Sequence, residues 1–227
     1  SVNLIEACKD VTDFQLFLFA STMEPYGWQP VSDLVKNNTY IHPPEAWAFD
    51  ENTSQNANAP YAVAKIAVEK YLEYAERAYG LPWCAMRTTN SYGRWDNNFF
   101  VTESIISQMV KGNTVNLGYA EPYRNFIFIE DLINLYITLV TDHEVAKTLR
   151  GFTIGPNNPI KMRDYAKLIA KKMDWTGSIN WDTRPDRPGE IYYLSSTHDK
   201  VTSITGWKPQ TNLDEGLKRT IDLWKNQ

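Results

Sequence analysis

Among the 11 glycines of this 227-residue chain there is no G-x-G-x-x-G run. That loop opens most dinucleotide-binding units, where its backbone N–H groups cradle a pyrophosphate at a helix N-terminus. A site of that kind is therefore not encoded within these residues. Cysteine is scarce too. Cys8 and Cys84 are the only two, too few for a disulfide framework or a thiolate metal site, and they read as buried thiols of a reducing, cytoplasmic setting. His42, His143 and His198 are scattered without ligand spacing, so no metal is expected. No apolar run approaches the roughly 20 residues of a membrane span, and no signal peptide is visible. The net charge of −4 offers no broad basic surface, which argues against a nucleic-acid partner.

What the chain does have is a 43% hydrophobic, 13% aromatic composition and an alternation of strand-like and helix-like segments. Val2 to Cys8 carries a helical stripe, and Phe14 to Ala20 is the continuous apolar run of a buried parallel strand. Ser21 to Pro60 reads as a long loop, with one helical turn near Val31 to Val35, and loops of that length are usually functional or disordered. Tyr61 to Tyr79 is the strongest helix, stopped by Gly80 and Pro82. Further strands are expected at Trp83–Arg87, Val115–Leu117, Asn125–Ile129, Phe152–Ile154 and Ile179–Trp181. Helices are expected at Phe99–Val110, Asp131–Val140, Met162–Met173 and Leu213–Trp224. This pattern predicts an α/β fold with a mainly parallel sheet. The elements shorten after about Trp95, as in a smaller α/β subdomain.

Tyr61 and Lys65 stand four apart at the head of the strongest helix, about one turn from each other on one face. An ammonium there would lower the tyrosine pKa from about 10 and suit it to take a proton from a sugar hydroxyl. A surface pair has the same spacing. Ser21, Thr22 and Glu24 follow the first strand, at the carboxyl edge where open parallel sheets bind ligands. A turn bonded to its own backbone, with Glu24 solvated, is equally consistent with those residues. Asn90 follows the next strand and reaches the same edge, as a ligand contact or an Asx-turn. Arg124, and Arg184 and Arg187 around Pro185, have the fork that grasps a diphosphate, or are surface arginines.

Taken in order, Ala20 to Gly27, Pro60 to Lys65, Arg87 to Gly93, Arg124 to Leu132 and Arg184 to Gly189 followed by Gly206 to Pro209 resemble five motifs of one family. It is the extended short-chain dehydrogenases that act as NAD(P)-dependent nucleotide-sugar epimerases and dehydratases. The resemblance implies the C-terminal part of a Rossmann-type parallel sheet plus a smaller α/β substrate-binding subdomain. It places a catalytic half over residues 1–94, with segments near 124–154 returning to it, and the substrate-binding part mainly over 95–227. It implies NAD or NADP as cofactor, a nucleotide-diphosphate sugar as substrate, and a homodimer through the Tyr61 helix. Tyr61 matches the base, Lys65 the residue that holds the nicotinamide ribose, Thr22 the hydroxyl that orients the substrate oxygen, and Ser21 a cofactor contact. Glu24 fills the acid/base position of the dehydratases, with Met23 where they often carry a second acid. Asn90, Arg124 and Arg187 match positions that hold the diphosphate, with Arg184 a further substrate-binding candidate, although Asn125 replaces the Asp usual after Arg124.

The resemblance starts midway through the family pattern, and a chain opening on Ser1 is not expected to start at its natural beginning. The first half, with its glycine loop and acidic ribose-binding residue, is missing, which implies an unpaired sheet edge that a partner or second copy covers. The long loop from Trp28 to Pro60 is expected to act as a lid setting sugar specificity. The main expectation is a dehydratase- or decarboxylase-like enzyme working through a transient 4-keto sugar. The alternatives are a 4-epimerase, a ketoreductase of small molecules, and a non-catalytic nucleotide-sugar-binding module.

Overall fold

The computed structural model describes residues 1–40, 47–183 and 189–226. In chain order the first part runs α1 (Val2–Cys8), β1 (Phe17–Thr22), a 3₁₀ turn (Glu24–Tyr26), α2 (Pro30–Lys36), α3 (Pro60–Tyr79), β2 (Trp83–Thr88) and β3 (Asn90–Tyr92). Next come α4 (Val101–Lys111), β4 (Thr114–Asn116), β5 (Tyr123–Arg124), β6 (Phe126–Phe128), α5 (Ile129–Thr141), α6 (His143–Leu149) and β7 (Gly151–Ile154). The last are β8 (Ile160–Lys161), α7 (Met162–Lys172), β9 (Ser178–Asn180), β10 (Tyr193–Leu194), α8 (Asp199–Thr205) and α9 (Leu213–Lys225).

The central sheet is parallel, in the order β1-β2-β7. Among the described residues β1 and β7 are its edges. Period-2 alternation sends Phe17 and Phe19 of β1, with Trp83 and Ala85 of β2, to the face packed by Leu72 and Ala75 of α3. Cys84 and Met86 go to the other face, under Leu132, Leu135 and Leu139 of α5 and Ala146 and Leu149 of α6. Burial of a side chain such as Leu72 contributes about 1.5–3 kcal/mol. Helix α3 starts at Ala59 in extended conformation with Pro60 in its first turn, and stops at Gly80, whose φ of 68° is left-handed.

Three small strand groups stand beyond this sheet: β10-β5-β8, the parallel pair β3-β6, and the parallel pair β4-β9. The pair β3-β6 and strand β4 pack with α4, α7 and α9 around Tyr92, Ile105, Phe126 and Tyr165. The segment before α3 carries the expected helical turn near Val31 to Val35 and is tied down along its described part. It contains α2, and Trp28 N–H donates to Asn56 O at 3.1 Å while Asn56 N–H donates to Pro25 O at 2.6 Å. Phe49 N–H donates to Ser195 O at 2.9 Å and Phe49 O accepts from Thr197 at 3.1 Å. The Glu51 carboxylate accepts from the Thr153 N–H at 2.7 Å and its hydroxyl at 3.0 Å. Its described part is a strap bonded at both ends, because its buried backbone groups need partners.

Candidate active site

Strand β1 ends at Thr22, and the next turn presents Glu24. Helix α3 begins within one residue of Tyr61. The link from β2 to β3 presents Asn90, and β5 ends at Arg124. All five line one cleft of about 1260 Å³ between the parallel sheet and the smaller strand groups, with Arg94, Phe99, Tyr119 and Trp181 on its far wall. That volume exceeds the several hundred Å³ of an ordinary small-ligand pocket.

The Tyr61 side chain is 50% exposed and stands beside the Thr22 hydroxyl, which favours its ionisation. Lys65 lies one turn further on, its Nζ donating to the Ala20 carbonyl at 2.7 Å and standing 5.5 Å from the centre of the Tyr61 ring. Here the structure corrects the sequence reading. Burial, then the Glu24 carboxylate, push the Tyr61 pKa above its ordinary value, with the Thr22 hydroxyl pulling the other way. Burial pulls Lys65 down while Glu69 opposes it. The lysine charge is held by a carbonyl rather than aimed at the phenol, so it does not lower the tyrosine as the spacing alone suggested.

Glu24 stands between two partners of opposite effect, disfavouring ionisation of Tyr61 and favouring the charge on Arg124. Its own backbone N–H donates to Thr22 Oγ1 at 3.3 Å. Met23, by contrast, is 1% exposed and packs with Tyr26 and Val35. Ser21 lines the same cleft. One residue before Thr22 on a strand, it shares the α3-facing side with Phe17 and Phe19, and its hydroxyl donates to Glu69.

Arg124 is more engaged than a waiting diphosphate ligand. Its guanidinium donates to Glu190 Oε1 at 3.0 Å, to Ile191 O at 2.6 Å and to Tyr123 O at 2.8 Å. Burial pulls its pKa down, and Glu190 and Glu24 resist. Asn125 is fully buried and accepts from the Thr89 hydroxyl on both its backbone and side-chain oxygens while its amide donates to Ser196 O at 3.3 Å. A neutral amide suits that place, because it both donates and accepts. Arg184 and Arg187 lie outside the described residues. Sequence reasoning passed over Glu69, Glu190 and Tyr26. The signal for Glu69 was present: it continues the Tyr61, Lys65 spacing by one more turn.

No helix among the described residues is long and apolar enough to cross a membrane. No cluster of His, Cys, Asp and Glu among them could hold a metal.

A family model described as GDP-mannose 4,6 dehydratase matches residues 1–220. A dTDP-glucose 4,6-dehydratase of Escherichia coli is 25% identical over 217 residues, which are 92% of this chain and 57% of that protein. The chain thus spans little more than half of that relative. The solved UDP-glucose 4-epimerase of Thermus thermophilus, in complex with NAD, has a TM-score of 0.81 at 23% identity, covering 98% of this chain and 68% of that one. The UDP-glucuronic acid 4-epimerase of Bacillus cereus, in complex with UDP-glucuronic acid and NAD, has a TM-score of 0.83 at 20% identity, covering 99% of this chain and 66% of that one. These likenesses establish the fold as the α/β, Rossmann-type one expected.

Proposed function

Since this chain belongs to the GDP-mannose 4,6 dehydratase family, we propose that it carries the proton-transfer and sugar-binding groups of an NAD(P)-dependent enzyme acting on a nucleotide-diphosphate sugar. The observation that carries this reading is that Tyr61 and Thr22 line one cleft large enough for such a ligand, with Lys65 one turn behind Tyr61. The residues fit the nicotinamide end of the cofactor: Tyr61 and Lys65 would lie against its ribose, at the carboxyl edge of the parallel sheet. The bound cofactor supplies a hydride acceptor and a cationic ring.

Tyr61 takes the proton from the sugar hydroxyl whose carbon is oxidised. Its raised pKa in these residues alone is the reason a further positive charge is needed to bring it toward neutral pH. Thr22 orients the same oxygen. Asn90 and Arg124 bind the diphosphate side, and Arg124 meets it once the anion competes with Glu190 for the guanidinium. Glu24 removes the proton beside the new ketone, and the hydroxyl beyond leaves. Met23 carries no proton to give, so Glu24 returns the proton it has taken, and water departs. A 4-epimerase is the second reading, favoured by one observation: the position of the second acid is filled by buried Met23.

The exposed Val63 and Tyr74 of α3, with Val2 and Leu4 of α1, fit a homodimer through these helices. The free Cys8 and Cys84 fit the cytoplasm.

Supplied with NAD(P) and UDP-, GDP-, CDP- and dTDP-sugars in turn, a protein that joins this chain to the glycine-loop half of the family pattern is expected to convert one of them to a 4-keto-6-deoxy product, read by NMR. Glu24→Gln is expected to stop elimination while hydride transfer continues. A product changed only at C4, insensitive to Glu24→Gln, would give the epimerase. No conversion and no sugar-nucleotide binding would refute both.

A further inference from the structure

The α3-facing side of the sheet changes character along its length. β1 shows Phe17, Phe19 and then Ser21, and β2 shows Trp83, Ala85 and then Arg87. Helix α3 matches the change, with Leu72 and Ala75 over the aromatic end and Glu69 over the polar one. Glu69 is 2% exposed. Its carboxylate accepts from Arg87 Nη2 at 2.6 Å and Nε at 3.0 Å, and from the Ser21 hydroxyl. Arg87 Nη1 donates to the Tyr26 hydroxyl at 2.6 Å. The guanidinium even occupies the room of a neighbouring side chain: a Cβ on Gly151 would stand 2.7 Å from Nη2.

A buried ion pair gives little net stability over apolar groups of the same volume, but its directional bonds define one register where apolar contacts tolerate several. The elements joined here are those that carry the site. Glu69 lies two turns below Tyr61 and one below Lys65, about 12 and 6 Å along the helix axis. Ser21 precedes Thr22, and Tyr26 closes the turn that presents Glu24.

We propose that Glu69 and Arg87 are positioning residues, whose ion pair with Ser21 and Tyr26 sets the height of α3 over the end of β1 and so brings Tyr61 to Thr22 and Lys65 to the Ala20 carbonyl. This rests on the reading of Tyr61 as the base, and the test separates the two. Protein labelled with ¹³C at the tyrosine ζ-carbon gives a Tyr61 resonance identified by its loss in Tyr61→Phe. Thr22→Ala records the shift when the neighbouring hydroxyl is removed. Glu69→Gln is expected to move the Tyr61 resonance in that same direction. Val68→Ala, which trims a contact of the same turn with the apolar core, is expected to lower the unfolding midpoint and leave the resonance in place. Ser21→Ala removes one bond of the network and makes the same comparison if Glu69→Gln does not fold. Resonances unmoved in Glu69→Gln and Ser21→Ala, with only the unfolding midpoint lowered, would overturn the proposal. In turnover, Glu69→Gln is expected to lower kcat by roughly 10²-fold with KM unchanged, the mark of a misplaced base. Turnover retained by Tyr61→Phe would count against Tyr61 as the base, while the resonances still decide the positioning role.

Discussion

Tyr61 shows what a spacing does and does not determine. Its four-residue separation from Lys65 places two side chains on one face, but not where the ammonium points. The Ala20 carbonyl, offered by the neighbouring strand end, takes that ammonium at 2.7 Å. Thr22, Glu24 and Asn90 were legible as cleft residues because each stands at or just after the carboxyl end of a strand of the parallel sheet; Arg124 was marked by its fork and expected to open a strand, and it ends β5 instead. Ser21 lines the same cleft, but its hydroxyl, on the opposite side of the strand from that of Thr22, is taken by Glu69. Arg124 gives a prediction at this scale. Arg124→Lys keeps the charge and loses the fork, so the bonds to Glu190, Ile191 and Tyr123 cannot all be made. Titration calorimetry is expected to show nucleotide-sugar affinity reduced about tenfold or more, about 1.4 kcal/mol. Unchanged affinity would take Arg124 out of the ligand contacts.

At the scale of elements, the long helices and apolar strands were legible from periodicity. Of the strands of two or three residues, β4, β6 and β9 were expected, while β3, β5, β8 and β10 were not. So short a segment has no period, and its pairing is decided by distant residues, as when Asn90 finds Phe126. The seven-residue helices α6 and α8 were missed for a similar reason: isolated helices so short are unstable and depend on packing. The length of the segment before α3 suggests a lid, yet polar groups of its described part are bonded inward. Glu51→Ala would leave the Thr153 N–H without its acceptor, and Thr153 is fully buried. A loss of about 1–3 kcal/mol in unfolding free energy is expected from denaturant titration. A loss near zero would mean that the strap is not held there.

For the molecule as a whole, buried ionisable groups set the response to pH. Burial pushes the Cys84 thiol up to about 12, and raises Tyr26, Tyr92, Tyr136 and Tyr165 as well. Each holds its proton more tightly folded than unfolded. Stability is therefore full below the unfolded pKa values of about 8.5 and 10, and falls as pH rises through the folded values. On the acid side Asp50 behaves oppositely. Bonds from Asn52 and Thr53 outweigh burial and lower its pKa, so its contribution is present above about pH 3.9 and lost as pH falls. Unfolding midpoints are expected to decline above about pH 9, and a flat alkaline limb would contradict these burials. The central claim concerns one proton, that of the sugar hydroxyl passing to Tyr61, and single-turnover hydride transfer tests it most directly. With cofactor and nucleotide sugar saturating, the absorbance of reduced nicotinamide is expected to appear at least about 10²-fold more slowly in Tyr61→Phe than in the unaltered protein, with sugar-nucleotide affinity unchanged. Equal rates in the two proteins would contradict it.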